Sequence, residues 1–256
     1  MNVVMFFEGT GQGVEGRFTN VTRLKELCIE DERQVLHLEA GPGTRFGAYL
    51  FGKIQGVDWK VIARNSRSWF RKQPITPSDK VFLFGFSRGA LIARHVAAEL
   101  NRKGVKVEYM GLWDTVDATM GLDVTENCPP NVRYARHAVA RDEARRFFEL
   151  VPLKSDRARE AQVVEQMVFP GVHSDVGGLY DDNHVIADVS LAWIAAGASR
   201  RGLRLGKGVR LTQRVDPMTL KCHSSQNLVS NLFGMFSPVP RELKGIRHHA
   251  LCRACS

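Results

Sequence analysis

The turn that decides the fold of this chain is Gly85-Phe86-Ser87-Arg88-Gly89. An apolar run at 81–84 precedes it, and a helix-like segment at 90–100 follows it. This is the strand–turn–helix setting in which a G-x-S-x-G pentapeptide forms a nucleophile elbow. The two glycines allow a sharp turn where a Cβ would clash. The pattern predicts that Ser87 is a nucleophile and that the backbone N–H of Arg88 faces the oxyanion.

Composition indicates a folded, water-exposed domain with a basic surface. The 256 residues are 44% hydrophobic and 25% charged, which predicts a single domain over 1–256 with an irregular region at 204–256. No run of about 18 apolar residues is present, so no membrane span is expected. The formal charge of +9 suits anionic partners such as phospholipid headgroups. Aromatic residues are not interleaved with the basic clusters, so no nucleic-acid partner is predicted.

The sequence offers only weak signals for a cofactor or metal, and none is predicted. Gly11-x-Gly13-x-x-Gly16 matches a dinucleotide fingerprint, but a polar segment separates it from the next helix. The pair Cys252 and Cys255 lacks the second C-x-x-C of a zinc site. Three further cysteines are expected to stand alone, as in a protein made in a reducing cytosol: Cys28, Cys128 and Cys222.

Alternating apolar runs and helix-like segments predict an α/β fold with a mostly parallel central sheet and helices on both faces. Strands are expected at 3–7, 35–38, 80–84, 105–113 and 161–169, and helices at 21–28, 57–72, 90–100, 136–150 and 187–199. Polar segments follow four of the strands, at Glu8, Ser87, Asp114 and His173. In parallel sheets the chemistry collects at the carboxyl ends of the strands. This convergence predicts an enzyme.

A serine nucleophile needs a histidine base, and the histidine needs a carboxylate to hold its tautomer. In α/β-hydrolases the chain order is serine, acid, histidine. Asp175 is the favoured acid because it lies in a glycine-rich turn after a late strand, and Asp114 is the alternative acid. The base must then follow Asp175. His223 is favoured among His184, His223, His248 and His249, because it lies in a polar turn of the irregular region.

A metal-like group of side chains also occurs near the favoured acid. Its members combine hard oxygen ligands with imidazole, which could hold a divalent ion. Their spacing matches no standard metal-binding loop, so no metal is predicted there. The group consists of His173, Asp175, Asp181, Asp182 and His184.

Several motifs within residues 3–203 resemble those of a known protein family and occur in the same order along the chain. They are Phe6-Phe7-Glu8-Gly9-Thr10, Gly41-Pro42-Gly43-Thr44, Phe84-Gly85-Phe86-Ser87-Arg88-Gly89-Ala90, Gly111-Leu112-Trp113-Asp114-Thr115 and Phe169-Pro170-Gly171-Val172-His173-Ser174-Asp175-Val176-Gly177-Gly178. Through these motifs the chain resembles the DUF2235 family of α/β-hydrolases, which includes the Tle1-type phospholipase effectors of bacterial type VI secretion.

The resemblance implies a catalytic triad of Ser87, Asp175 and His223, and ester hydrolysis of phospholipids through an acyl-enzyme without a cofactor. The implied oxyanion donors are Gly9, Thr10 and Arg88. It further implies peripheral membrane contact, a secretion-apparatus partner or an immunity protein, and synthesis in the cytoplasm before delivery into a target cell without a signal peptide. The family usually has Asp where this chain has Glu8.

Two rival functions keep the same fold. One is a hydrolase of a soluble ester or thioester, which would use the same triad on a substrate outside the membrane. The other is a non-catalytic binding module, for which the Glu8 substitution is the only support. A serine-reactive probe separates the second rival from an enzyme, because only an activated Ser87 reacts with it.

Overall fold

The computed structural model describes residues 1–10, 19–42, 58–117, 126–155, 161–207, 209, 219–224, 241 and 243–253. In these ranges seven strands form one parallel sheet in the order β2-β1-β3-β4-β5-β6-β7. The strands are β1 (Asn2–Phe7), β2 (Gln34–Glu39), β3 (Lys80–Phe86), β4 (Val107–Trp113), β5 (Val132–Ala140), β6 (Val163–Phe169) and β7 (Arg247–His248). The helices are α1 (Asn20–Leu27), α2 (Asp58–Arg71), α3 (Arg88–Asn101), α4 (His173–Gly177) and α5 (Val185–Ser199).

Helices cover both faces of the sheet because alternate residues of each strand point to opposite sides. One buried cluster joins strand residues such as Met5 and Leu83 to α2 and α3. The other joins their strand neighbours, such as Phe6 and Phe84, to α1 and α5. A strand buried on both faces reads as a continuous apolar run, which is how β1 and β3 appear in the sequence. The predicted α/β-hydrolase-like fold is confirmed.

One predicted element is wrong. The helix expected at 136–150 is instead part of the interior strand β5, followed by a short 3-10 turn at Arg146–Phe148. The segment is rich in Ala, Arg and Glu, which favour helices. Its position between β4 and β6 overrides this propensity, because each neighbour supplies a ladder of backbone hydrogen bonds.

Two further features of the structure differ from what the sequence predicts. The region expected to be irregular after residue 203 contributes strand β7, which pairs with β6. Cys222 is disulfide-bonded, so the expectation that it stands alone is wrong, whereas Cys28, Cys128 and Cys252 are free. The glycine-rich segment at 11–16 and Cys255 lie outside the described residues. No helix in the described ranges is long and apolar enough to cross a membrane.

The parallel arrangement gathers four polar segments at one edge of the sheet. Glu8 follows the last residue of β1, Ser87 that of β3 and Asp114 that of β4. His173 begins α4, a few residues beyond the end of β6. These positions are the carboxyl ends of the strands, where α/β folds bind their ligands.

Candidate active site

Ser87 joins β3 to α3 with φ 59° and ψ −128°, a conformation that residues other than glycine rarely adopt. Gly85 and Gly89, which flank this turn, allow neighbouring main-chain atoms to approach it closely. A Cβ on Gly85 would lie 2.6 Å from Ala90 Cα, and one on Gly89 would lie 2.3 Å from the Phe7 carbonyl oxygen. Such a backbone stores about 1–3 kcal/mol of strain, which persists only where the surroundings impose it. This is the backbone of a nucleophile elbow.

The amides expected to bind an oxyanion lie beside Ser87. Arg88 is the first residue of α3, where a backbone N–H has no acceptor within the helix. On the other side, a Cβ on Gly9 would lie 3.2 Å from Ser87 Cβ. The Gly9 N–H donates to the Glu8 carboxylate at 3.3 Å, so this amide already has an acceptor. Thr10 is the last described residue of this loop. Gly9 and Arg88 therefore flank Ser87.

Asp114 is completely buried at the end of β4 and accepts hydrogen bonds at both carboxylate oxygens. His173 Nδ1 lies 2.6 Å from Oδ2, and the backbone N–H of Ala140 donates to Oδ1 at 2.8 Å. The Arg241 guanidinium binds both oxygens, at 2.5 and 2.9 Å. Burial acts to raise the pKa of Asp114, but Arg241 and His173 outweigh it and hold this pKa well below its ordinary value. Asp114 is therefore an ionised carboxylate in the protein interior.

His173 lies between this carboxylate and the elbow. Its ring stacks on Phe86, the residue before Ser87, with centroids 4.6 Å apart, and Phe148 contacts it edge-on at 4.9 Å. Burial lowers the pKa of His173 against the opposing effect of Asp114. Nδ1 donates to Asp114, and Nε2 makes no hydrogen bond within the described part of the chain. A neutral imidazole held in this tautomer has a lone pair at Nε2, which is the arrangement of a general base.

His223 and Asp175 form a second pair. His223 Nδ1 lies 2.5 Å from Asp175 Oδ1, and the His223 backbone N–H donates to Oδ2 at 3.2 Å. The Val172 N–H also donates to this carboxylate, at 2.8 Å. The two residues that the sequence reading combined are thus in contact. Their contact satisfies the geometry required of a histidine and the acid that orients it.

The second ring nitrogen of His223, Nε2, also has a partner. It lies 3.0 and 3.3 Å from the two oxygens of Asp182, whose side chain is 52% exposed and also binds Lys221. The ring stacks on Tyr180 at 3.9 Å. Both ring nitrogens of His223 are therefore in contact with carboxylates, which only accept hydrogen bonds. Neither ring nitrogen is left open toward Ser87 in this arrangement.

Neither histidine is hydrogen-bonded to Ser87 Oγ in the parts of the chain that the structure describes. The imidazole of His173 stacks against the residue next to Ser87. Apo structures often hold catalytic groups slightly apart, and these close only with substrate. From the sequence, His173 is expected only as a polar residue after a strand and as a member of the metal-like group, not as the base. Its position a few residues after β6 was the available signal, but the choice of Asp175 as the acid required a later histidine.

The remaining candidates are dispersed. The five residues of the metal-like group do not converge, and no group of three or more potential ligands occurs in the described ranges. His184 caps the start of α5, and the ring of His249 stacks on Phe169. His248 lies exposed on β7.

A family model described as the type VI secretion phospholipase effector Tle1-like catalytic domain matches residues 1–105 and 98–197. An uncharacterized protein from Pseudomonas aeruginosa has a similar structure, with a TM-score of 0.54 and 18% identity over 80% of this chain and 46% of that one. The Tle1 effector bound to the VgrG spike of the type 6 secretion system gives a TM-score of 0.50 and 20% identity, over 70% of this chain and 51% of that one.

A curated sequence relative is an uncharacterized protein of Saccharomyces cerevisiae, 27% identical over 121 residues. The match covers 41% of this chain and 18% of the yeast protein. The chain thus spans about half of the two similar solved structures and less than a fifth of the yeast relative. At these identities the solved structures establish the fold alone.

Proposed function

This chain belongs to the family of Tle1-like type VI secretion phospholipase effector catalytic domains, and we propose that it is a serine hydrolase that cleaves acyl esters of phospholipids. The family membership supports a hydrolase of the lipase and esterase type. The observation that carries the serine mechanism is the buried Asp114–His173 pair beside the strained Ser87.

In the proposed mechanism, Ser87 Oγ attacks the ester carbonyl while His173 Nε2 takes its proton. Asp114 accepts the hydrogen bond from Nδ1, so the imidazole keeps the required tautomer and its positive charge is stabilised as it forms. The N–H of Arg88 and the loop after β1 face the oxyanion. His173 then returns the proton to the departing alcohol, which leaves an acyl-enzyme. Water, activated by the same imidazole, releases the fatty acid.

The triad inferred from the sequence, Ser87 with Asp175 and His223, is the alternative within the same reaction. The Asp175–His223 contact supports it. The bond from His223 Nε2 to Asp182 favours His173 instead, because a base needs a free nitrogen. Catalysis through His223 would require this bond to break and the ring to turn toward Ser87.

The first test is fatty-acid release from phospholipid vesicles by the wild type and by Ser87→Ala. We expect release by the wild type and at least about a 10³-fold loss in the variant, because the nucleophile is missing. A fluorophosphonate probe should label the wild type only. Labelling without lipid hydrolysis would point to a soluble ester or thioester as substrate. Loss of both would favour a binding module.

We further propose that the chain is made in the cytoplasm, is delivered by a secretion apparatus and contacts the target membrane peripherally. The complex of the Tle1 effector with a VgrG spike supports a partner of this kind. A pull-down of the purified chain with a spike protein from the same genome tests delivery. Absence of binding there would contradict the delivery proposal and leave the hydrolase proposal intact.

A further inference from the structure

The loop after β1 packs directly against the nucleophile elbow. A Cβ on Gly9 would lie 2.8 Å from the ring of Phe86 and 3.2 Å from Ser87 Cβ. A Cβ on Gly89 would lie 2.4 Å from the carbonyl oxygen of Glu8. The main chain of Glu8 and Gly9 thus touches residues on both sides of the serine. A small shift of this loop would change the surface that meets a substrate carbonyl at Ser87.

The Glu8 side chain ties this loop to the start of α1. Its carboxylate is buried, at 1% exposure, and accepts the Thr19 hydroxyl at 2.8 Å from each oxygen. The backbone N–H of Thr22 donates at 3.1 Å and the Thr22 hydroxyl binds the same oxygen. The Gly9 N–H donates at 3.3 Å from within the loop itself. One side chain therefore fixes the first turn of a helix and the loop beside Ser87 together.

Burying a carboxylate to connect the loop and α1 costs free energy of hydration. No Lys or Arg in the described residues forms an ion pair with Glu8, and burial raises its pKa against the hydrogen bonds from the two threonines and Gly9. A carboxylate buried without a counterion loses several kcal/mol of hydration, and neutral side chains can cap a helix. The partial positive charge at the start of α1 offsets part of this penalty. A carboxylate at this position therefore suggests a role beyond stability.

We propose that Glu8 is a positioning residue of the active site, whose carboxylate holds the main chain of Gly9 against Ser87 in the orientation that meets the oxyanion. This inference rests on the proposed serine hydrolase activity. Glu8 transfers no proton in this role and does not touch the substrate. By accepting the Gly9 N–H it fixes the peptide unit between Glu8 and Gly9, and α1 anchors the carboxylate in turn.

The test compares Glu8→Gln, which keeps the shape without the charge, with Glu8→Asp, which keeps the charge on a shorter chain. With a soluble p-nitrophenyl ester we expect kcat of Glu8→Gln to fall about tenfold, less than the loss of a direct oxyanion donor, while KM changes less than about twofold. Inhibition by a trifluoromethyl ketone, whose serine adduct carries an oxyanion, should weaken by the same factor. Glu8→Asp should fall between the wild type and Glu8→Gln.

A matched control removes partly buried hydrogen bonds at the amino end of β5, away from this loop. Asn131 donates to the carbonyl oxygens of Ala97 and Val105. Asn131→Ala should lower Tm without changing kcat or inhibitor affinity. A folded Glu8→Gln protein with a lower Tm but wild-type kcat and inhibitor affinity would show a purely structural role and overturn the proposal.

Two further outcomes also test the proposal. If Glu8→Gln does not fold, Glu8→Asp carries the comparison, and wild-type kcat and inhibitor affinity in that variant would overturn the proposal. A wild-type protein that neither turns over the ester nor reacts with a fluorophosphonate would remove the proposed hydrolase function itself, and the positioning role with it. The two failures are therefore distinguishable from the wild-type measurement alone.

Discussion

Two histidine–carboxylate pairs lie near the carboxyl edge of the sheet, and they differ in their surroundings. The Asp114–His173 pair is buried, with side-chain exposures of 0% and 4%, and its second histidine nitrogen has no hydrogen bond in the described residues. The Asp175–His223 pair is less enclosed, and its second nitrogen is bound by the exposed Asp182. A short His–Asp contact is common to both, so contact alone does not identify a catalytic pair. The proposed assignment rests on the other ring nitrogen, which is open in His173 and bound in His223.

The charge around each pair differs as well. Arg241 balances the Asp114 carboxylate in the interior, so His173 is free to remain neutral between turnovers. His223 lies between the carboxylates of Asp175 and Asp182, which contact both of its ring nitrogens. The first environment suits a base that gains a proton during the reaction, and the second suits a histidine whose ring is held in place at both nitrogens. The following substitutions test this distinction.

The largest expected effect separates the two histidines. His173→Ala should lower kcat on vesicles or a soluble ester by about 10⁴-fold, because the serine loses its base. His223→Ala should retain activity within about threefold, since its ring is bound elsewhere. Steady-state kinetics on both variants, with folding checked by circular dichroism, makes the comparison. The reverse result would establish the Asp175–His223 triad and exclude our assignment.

Asp114→Asn should have an effect almost as large and should also destabilise the protein. The amide favours the wrong imidazole tautomer, so kcat should fall by about 10³- to 10⁴-fold. It also leaves Arg241 buried without a counterion, which costs about 3–5 kcal/mol of unfolding free energy. Urea unfolding and kinetics measure the two effects. Asp175→Asn is the matched control, and a larger kinetic loss there would contradict the assignment.

The pH dependence of kcat/KM sharpens the comparison further. The pKa of His173 is lowered below its ordinary value of 6.5, chiefly by burial. A base must be unprotonated, so activity should be complete above pH 6.5 and decline only as the pH falls through this lowered pKa. With a soluble ester as substrate, we therefore expect kcat/KM to fall on the acidic side only below pH 6.5. A limb above this value would mean that a different base operates.

The smallest expected effect comes from Asp182→Asn, which loosens the outer bond of His223. Asp182 is half exposed, so its ion pairs contribute about 1 kcal/mol or less to stability. We expect unchanged kcat and a Tm within a few degrees of the wild type. An increase in kcat of several-fold would show that Asp182 restrains the catalytic base, and His223 would then replace His173 in the mechanism.

The elbow and the sheet could be predicted from sequence because local patterns determine them. An apolar run followed by G-x-S-x-G fixes strand, turn and helix, and Ser87 has the positive φ that this turn requires. The helix predicted at 136–150 is wrong because the composition of this segment favours a helix whereas its neighbours in the sheet make it a strand. Its Arg136 side chain instead binds Glu165 across neighbouring strands and lies over the ring of Trp193. Such tertiary partners leave no local signature.

The candidate site was harder to predict because its contacts are distant in sequence. Residues Asp114 and His173 were each singled out, but nothing local joins them across 59 positions. The rule that the acid precedes the histidine allowed both pairings. The burial of one pair and the exposed Asp182 on the other emerge only from the folded chain. The same holds for Glu8, whose threonine partners belong to the next helix.

The bond between Asp114 and Arg241 has a consequence for the timing of biosynthesis. The two residues are 127 positions apart, and a ribosome delivers the chain from its amino end. Until Arg241 has emerged, the nascent domain would contain the buried Asp114 carboxylate without its guanidinium partner, at the centre of the proposed active site. We therefore expect ribosome-bound chains that stop short of this arginine to resist labelling at Ser87. Hydrolytic competence would then arise late in translation, as a step separate from formation of the sheet.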